Sequence, residues 1–258
     1  MEPEEYDRVG ELEEQHWRYR AIRRTLLSIL RRQARRGAPL RRILDAGCGT
    51  GGTLRALAGL APAVGVDIHP RALALARERG VGSLVRAHVA RLPFASASFD
   101  AVVSVDVLYH RWVEDDAEAL AELARVCRPG GTVVLWLPAY AWMRSSHDEI
   151  VHTARRYTRT QVRQLAARAG LHVQNLSYVH APVLLAAIVQ RGLQRLRGAP
   201  PRSSLRPAPS TVNQMLHSFL VLEGAVAQRV PLPFGLSLLA VLRRAAEVRG
   251  VELPGFHG

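Results

Sequence analysis

The stretch Ile43-Leu44-Asp45-Ala46-Gly47-Cys48-Gly49-Thr50-Gly51-Gly52 decides the fold of this chain. Its apolar beginning predicts a short buried strand, and its glycines predict a tight turn that leads into a helix. Glycines at such a turn let the backbone approach a ligand closely. The N-terminus of the following helix also offers unpaired N–H donors to an anionic group. Because four glycines in six residues cost conformational entropy, we interpret the stretch as a ligand-binding loop.

The glycines alone do not identify the ligand. Gly47, Gly49 and Gly52 satisfy the dinucleotide-binding pattern G-x-G-x-x-G. Asp67, at the end of the next predicted strand, suits a carboxylate that accepts hydrogen bonds from both ribose hydroxyls of either kind of ligand. Asp45 separates the alternatives, because a carboxylate beside the loop can accept from an amino group but would repel a pyrophosphate.

Outward from this loop, strands alternate with helices over about 100 residues. This alternation predicts right-handed crossovers and a parallel sheet. The predicted strands lie at 42–45, 63–67, 81–87, 99–105 and 132–137, and the predicted helices at 53–60, 70–79 and 115–126.

Before residue 42 and after residue 137, helices and strands alternate less regularly. We predict an N-terminal helix at 11–36, a polar loop at 139–157, a helix at 160–169, a strand at 171–178, helical segments at 181–196 and 212–229 joined by a linker at 197–210, and a last strand at 235–242. The resulting domain prediction is an N-terminal helical cap (1–38), a core (39–180), a helical insertion (181–230), and a last strand with a tail (231–258).

Composition indicates a globular protein of one domain. The chain has 258 residues, of which 48% are hydrophobic. Two cysteines argue against a disulfide framework or a zinc cluster and fit a reducing cytoplasm. No run of 18 apolar residues could span a bilayer, and the acidic N-terminus is unlike a secretory signal. We therefore expect a cytoplasmic protein.

The net charge of +13 leaves the partner open, and all 35 basic residues are arginine. The excess could serve an acidic acceptor, an anionic membrane surface, or a solvated coat without a specific partner. Arginine clusters at 31–42 and 191–206 flank apolar helical segments, which keeps peripheral contact with lipid open.

Two further motifs extend the loop signature. Leu92-Pro93-Phe94 with Phe99-Asp100 precedes the fourth predicted strand, and Arg128-Pro129-Gly130-Gly131 precedes the fifth. With these motifs, residues 40–137 resemble the class I S-adenosylmethionine-dependent methyltransferases, specifically the broad group that acts on small molecules. The resemblance implies S-adenosylmethionine as the cofactor. It also implies an α/β fold with a Rossmann-like, seven-stranded, mostly parallel sheet, helices on both faces, an N-terminal helical cap and a helical insertion before the last strand.

The resemblance also implies which residues contact the cofactor. Around the methionine moiety and the ribose it implies Asp45, Gly47, Cys48, Gly49 and Asp67, with Val105 nearby. Near the adenine it implies Ile68, the backbone N–H of Val89, and His88. His88 stands where the group usually has an acidic residue on the adenine amine, and a neutral imidazole could accept the same hydrogen bond.

A narrower resemblance to a bacterial subgroup lies before the core. His16-Trp17-Arg18-Tyr19-Arg20 resembles its H-W-W-[FY]-R segment, with Arg18 in place of the second tryptophan. The resemblance implies that Trp17 and Tyr19 shield the cofactor and that Arg20 binds its carboxylate; alternatively, Trp17 only packs the helix onto the core. Members of this subgroup occur among glycan, polyketide and other secondary-metabolite enzymes.

Methyl transfer from a sulfonium is an in-line displacement that needs alignment, exclusion of water and often removal of one proton. No spacing of metal ligands stands out, and the reaction requires no metal. His110, after the fourth strand, matches a histidine of related methyltransferases and is the candidate base, unless it only hydrogen-bonds a loop. His147, with Asp148, is the alternative.

The acceptor site is predicted beyond the ends of the fourth and fifth strands. Its candidate residues are Tyr109, Tyr140 and Trp142. Arg155 and Arg156 could clamp an acidic acceptor, or merely cap and solvate the next helix. The apolar run 183–189 could meet a lipid-like acceptor, meet a second subunit in a homodimer, or be buried against the domain.

The function predicted from the sequence is methyl transfer, foremost to oxygen, on a small-molecule acceptor such as a natural product, sugar or lipid-like compound. A nucleic-acid methyltransferase is less favoured, because the fourth strand lacks a D/N-P-P-aromatic sequence that would hold a flipped base. A non-catalytic cofactor-binding scaffold and an NAD-dependent oxidoreductase are further alternatives, the latter disfavoured by Asp45.

Overall fold

The computed structural model of the chain describes residues 3–37, 39–144, 148–149, 151–197 and 209–246. In place of the single N-terminal helix predicted at 11–36, it has two helices, α1 (Pro3–Leu12) and α2 (Trp17–Arg36). His16 caps α2, and its Nδ1 accepts a hydrogen bond from the backbone N–H of Arg18 at 3.3 Å. This cap starts a new helix axis, so the one-helix prediction is wrong.

The remaining elements follow in the predicted order. They are β1 (Ile43–Ala46), α3 (Gly52–Ala58), β2 (Ala63–Asp67), α4 (Pro70–Glu78), β3 (Leu84–Arg86), β4 (Phe99–Val105), α5 (Asp116–Val126), β5 (Cys127–Pro138), a 3₁₀ turn (Ala141–Met143), α6 (Arg159–Arg168), β6 (Leu171–Val179), α7 (Ala181–Arg197), α8 (Ser210–Ala227) and β7 (Ser237–Arg244). The third strand is shorter than predicted, and the fifth begins five residues earlier.

The seven strands form one sheet in the order β3-β2-β1-β4-β5-β7-β6. The first five strands pair in parallel, and β7 is antiparallel to both β5 and β6. The predicted Rossmann-like, mostly parallel sheet is confirmed. Because the strand order reverses between β1 and β4, a crevice is expected at the carboxyl ends of these two strands.

Helices cover both faces of the sheet. On one face, Leu120 and Leu123 of α5 and Val162 of α6 are buried in the main hydrophobic cluster. On the other face, Ile22 and Leu26 of α2 pack with the sheet. Both faces of the central strands are therefore buried, which explains why β1 and β4 are apolar along most of their length.

The predicted insertion, α7 and α8, packs against the core mainly through α8 and α2. Gly224 of α8 lies against Thr25 of α2, where a Cβ atom would collide with the threonine side chain. The Glu223 carboxylate accepts hydrogen bonds from the backbone N–H groups of His180 and Ala181 at 2.6 and 2.7 Å. Glu223 thus caps α7 and joins the two helices of the insertion.

The outer face of α8 is apolar and exposed. Its side chains recur every three or four positions, as expected for one helical face, and are Val212, Met215, Phe219, Leu222 and Val226. On α7, Leu184 is buried whereas Leu185 and Val189 are exposed. None of the helices in the described part of the chain is long and apolar enough to cross a membrane.

Replacing Glu223 by alanine should destabilise the protein, because two amide donors at the start of α7 would lose their acceptor. We expect a loss of about 1–3 kcal/mol in the free energy of unfolding, measured by urea denaturation. Glu78→Ala, at an exposed position of α4, is the matched control and should change stability far less. Equal effects of the two substitutions would contradict the capping role.

Candidate active site

A cavity of about 480 Å³ lies at the carboxyl ends of the strands. Its wall combines the glycine loop after β1, the segments that follow β2 and β4, and side chains from α1, α2 and α7. It therefore occupies the crevice that the strand order predicts.

Asp45 is the most constrained polar group of this cavity. It is the penultimate residue of β1, only 1% of its surface is exposed, and its Oδ2 has no hydrogen-bond partner within the described residues. Burial, and secondarily the negative charge of Asp67, raises its pKa to about 7. A buried carboxylate oxygen without a partner is costly, so this geometry suits a ligand that supplies an N–H donor.

The glycine loop has the shape that the sequence predicts. Gly47 has a φ of +85°, and a Cβ atom there would collide with Val107. Gly49 also has a positive φ, of +53°, and both residues line the cavity together with Cys48. The loop can therefore bring its backbone close to a ligand only with glycine at these positions.

Asp67 ends β2 beside this loop and lines the same cavity. Its two carboxylate oxygens accept hydrogen bonds from the backbone N–H groups of Gly49 and His69, both at 2.9 Å. Each carboxylate oxygen can accept a further hydrogen bond. The structure thus places Asp45 and Asp67 at neighbouring strand ends, with the loop between them.

The residues predicted around an adenine also line the cavity. They are Ile68, His88 and Val89, and the ring of Tyr6 stacks on His69 nearby, at 4.6 Å between ring centroids. However, His88 Nε2 lies 2.7 Å from the carbonyl oxygen of Trp112, and its Nδ1 accepts from the backbone N–H of Ala90. Both ring nitrogens therefore have partners within the protein, so the acceptance of an adenine hydrogen bond by His88 stays a prediction that this arrangement does not support.

The segment before the core places Trp17, Arg18 and Tyr19 in the cavity wall, but not Arg20. Arg18 and Arg20 lie about 200° apart around α2, so they face opposite directions. Arg18, rather than Arg20, enters the site, where its guanidinium pairs with Asp106 at 2.6 Å. The predicted cofactor contact of Arg20 is not supported by this geometry.

Helix α1 contributes to the wall through a face that the sequence interpretation missed. Glu5, Val9 and Glu13 follow one another at four-residue spacing and all line the cavity. The Glu13 carboxylate accepts a hydrogen bond from Thr50 Oγ1 at 2.6 Å and pairs with Arg79. The four-residue spacing of these side chains is the sequence signal for this face, and it begins before the helix predicted at 11–36.

His110 follows β4 and lines the cavity, as do Val105 and Tyr109. The rings of Tyr109 and His110 stack at 4.6 Å between their centroids. Nδ1 of His110 is buried without a hydrogen-bond partner. Burial is the main cause that lowers the pKa of this ring to about 4. The imidazole is therefore neutral near pH 7 and lies in the cavity wall.

Three residues predicted for the acceptor site lie elsewhere. Tyr140 and Trp142 stack on each other outside the cavity wall, and Tyr140 also stacks on Tyr178. Arg155 donates to the carbonyl oxygens of Val113 and Glu114 at 2.9 and 3.0 Å. None of these three residues is among those that line the cavity, so the structure does not bring them to its wall, and their contact with an acceptor stays a prediction.

Arg156 does line the cavity, but it is already paired. Its Nε and Nη2 donate to the two oxygens of Asp148, each at 3.0 Å, and its Nη1 donates to the carbonyl oxygen of Ala139. The other candidate base, His147, lies outside the described residues. Within those residues, no group of three or more His, Cys, Asp or Glu side chains could hold a metal ion.

Comparison with known proteins agrees with this geometry. Residues 44–135 match the model of a methyltransferase domain family. A candidate methyltransferase of Encephalitozoon cuniculi is 40% identical over 109 residues, covering 42% of this chain and 48% of that protein. A 24-methylenesterol C-methyltransferase of Oryza sativa is 34% identical over 131 residues, covering 44% of this chain and 34% of that protein.

A solved structure shares the fold over nearly the whole chain. It is a candidate methyltransferase in complex with the Haloferax volcanii Trm112 methyltransferase activator, with a TM-score of 0.59 and 23% identity, covering 93% of this chain and 94% of that one. The matched part of the chain spans about half the length of the first of these relatives and about a third of the second. Residues 44–135 thus match a methyltransferase domain, and the chain shares its fold with a candidate methyltransferase; S-adenosylmethionine is the cofactor to compare with the site.

The residues present fit this cofactor. S-adenosylmethionine carries a protonated amine, which can donate to the unpartnered Oδ2 of Asp45, and a ribose, which Asp67 can hold. A pyrophosphate would instead meet two neighbouring carboxylates. The chemistry of the cavity therefore favours S-adenosylmethionine over a dinucleotide.

The raised pKa of Asp45 predicts a pH-dependent stability. Between about pH 4 and pH 7 the folded protein keeps a proton that the unfolded chain has lost, so stability falls as pH rises through this window. Asp45→Asn cannot ionise and should escape this loss. From pH 5 to pH 8 its free energy of unfolding should gain on the order of 2 kcal/mol relative to wild type.

Urea denaturation at both pH values measures this gain. Asp115→Asn serves as the control, because the exposed Asp115 has a lowered pKa and titrates below the window. A difference between Asp45→Asn and wild type that stays constant with pH would show that Asp45 does not titrate there.

Proposed function

We propose that the whole chain is an S-adenosylmethionine-dependent methyltransferase that methylates a small-molecule acceptor, foremost on oxygen. The observation that carries the proposal is the arrangement of Asp45, Asp67 and His110 in one cavity. Asp45 and Asp67 fit the cofactor, and His110 has a ring nitrogen without a hydrogen-bond partner.

In this proposal, Asp45 holds the amine of the methionine moiety and Asp67 holds the ribose. Ile68 and Val89 supply apolar surface for the adenine, and Trp17 and Tyr19 exclude water. When bound, S-adenosylmethionine supplies a methyl group that the positive sulfur has already activated. The protein then has to orient the acceptor and accept one proton.

His110 is the proposed proton acceptor. Its lowered pKa, about 4, keeps the ring neutral at physiological pH. A ring with this pKa is a weak base, but an acceptor hydroxyl becomes strongly acidic as its oxygen forms the new bond to carbon. His110 can therefore take the proton late in the reaction, where general base catalysis is effective.

The helical insertion is proposed to cover the acceptor. Val183, Ala186 and Ala187 of α7 line the cavity, so the insertion gives the acceptor site an apolar side. An apolar wall suits an apolar small-molecule acceptor. One relative is named as a methyltransferase of a sterol, which is an acceptor of this kind. In domain terms, residues 181–230 form a lid, and residues 1–38 a cap, on a core of 39–180 and 231–258.

Binding of S-adenosylhomocysteine, measured by calorimetry, tests the cofactor assignment. The wild-type protein should bind this product and not NAD. Asp67→Asn should weaken binding by about 10- to 100-fold, because charged hydrogen bonds to the ribose are lost. Asp115→Asn makes the same chemical change outside the cavity and should leave the affinity within twofold. Binding of NAD alone would favour an oxidoreductase instead.

Transfer of a tritiated methyl group tests the catalytic assignment. We expect label from S-adenosylmethionine in the small-metabolite fraction of a bacterial extract, and not in total tRNA. His110→Gln should slow labelling by about 10²- to 10⁴-fold while S-adenosylhomocysteine still binds. His172→Gln, at an exposed position of β6, is the control.

Each other outcome has a definite meaning. Label in tRNA would support the nucleic-acid alternative, and cofactor binding without any labelled product would support the scaffold. Normal labelling by His110→Gln would remove His110 as the base.

A further inference from the structure

The charge of the cavity is opposite to that of the chain as a whole. The chain carries a formal net charge of +13, yet the described residues of the cavity wall include six carboxylates and two guanidiniums. The carboxylates belong to Glu5, Glu13, Asp45, Asp67, Asp106 and Asp148, and the guanidiniums to Arg18 and Arg156.

Both guanidiniums are engaged by carboxylates of the same wall. Arg18 pairs with Asp106 at 2.6 Å, and Arg156 holds both oxygens of Asp148 at 3.0 Å. Each guanidinium charge is therefore already offset by a carboxylate, so an anionic acceptor would meet no uncompensated positive charge in the described wall. Taking either arginine away from its carboxylate would be strongly unfavourable.

Most of the carboxylates also have an assigned partner. Glu13 binds Thr50 and Arg79, and Asp45 and Asp67 fit the cofactor. Glu5 is the exception. It is 6% exposed, it lines the cavity, and its Oε1 is buried without a hydrogen-bond partner.

Glu5 shares the cavity wall with Tyr19 and with the Arg18–Asp106 pair. The charges agree with this placement, because burial raises the pKa of Tyr19 to about 12 and the negative charges of Asp106 and Glu5 add to the effect. Burial raises the pKa of Glu5 itself, and the charge of Arg8 on the same helix lowers it. Since Asp45 and Asp67 fit the cofactor, Glu5 is the carboxylate of the described wall that is left for the acceptor.

We propose that Glu5 anchors a protonated amine of the acceptor, so that the substrate class is an amine-bearing small molecule and not a carboxylate or phosphate. A protonated amine supplies the donor that Oε1 lacks and a charge that offsets the carboxylate. The inference rests on the proposed function and adds the charge of the acceptor to it. It replaces the acidic acceptor that the sequence left open for Arg155 and Arg156.

The test compares ligands that share a skeleton and differ only in charge. Tyramine, tyrosol and 4-hydroxyphenylacetate form one such set, and hexylamine, hexanol and hexanoate form another. Binding to the protein saturated with S-adenosylhomocysteine is measured by ligand-observed NMR titration. We expect the amine of at least one set to bind at least tenfold more tightly than the matched carboxylate.

Variants of α1 assign this preference to one residue. Glu5→Gln should reduce the preference for the amine to less than threefold. Glu11→Gln, at an exposed position of the same helix, should retain it. Both variants should bind S-adenosylhomocysteine within twofold of wild type, which shows that the fold and the cofactor site are intact.

Four outcomes would overturn the inference. They are equal or tighter binding of the carboxylates, no binding of any amine, a preference that survives Glu5→Gln, and loss of S-adenosylhomocysteine binding by Glu5→Gln, which would assign Glu5 to the cofactor. Failure of the wild-type protein to bind S-adenosylhomocysteine would instead refute the proposed function on which the inference rests.

Discussion

The unpartnered carboxylate of Asp45 is the constraint on which the rest of the site depends. Its oxygen is held in a fully buried strand, and burial raises its pKa to about 7, because a negative charge at this position is poorly solvated. A protein gains no stability from such a group by itself. Its position is explained by a ligand whose amine offsets the charge, and the reversal of strand order between β1 and β4 opens the space for that ligand.

Much of the fold could be predicted because burial constrains its central strands on both sides. Strand β4 has the predicted bounds of 99–105, because most of its residues are apolar and both of its faces are buried. The N-terminal region was not predicted correctly, because it forms two helices and not one. The sequence is helical on both sides of the break, and the start of α2 is set by hydrogen bonds from its first N–H groups to the side chains of His16 and Asn213. A cap of this kind is a local geometry, which hydrophobic spacing does not reveal.

The site residues also fall into two groups, those placed by local sequence and those placed by packing. Asp45, Gly47, Gly49 and Asp67 sit at strand ends or in a turn of fixed form, so the local sequence determined where they lie. The residues after β5 follow an irregular path that includes a positive φ at Tyr140, and stacking on Tyr178 decides its direction. Which side of α2 faces the cavity is likewise set by packing against α8. That contact is distant in sequence, and for this reason Arg18, not Arg20, entered the site.

The opposite signs of the surface and the cavity follow from where each charge lies. Exposed arginines act on a ligand through water and salt, which screen them over about 8 Å. Carboxylates in the cavity wall act at contact distance, where burial weakens that screening. Most charged residues of the chain lie on its surface. The net charge therefore indicates which molecules the surface attracts, and does not indicate the charge of the ligand in the cavity. A cation such as the sulfonium cofactor meets a complementary wall inside a strongly basic protein, and the same wall opposes any anion that the exterior attracts.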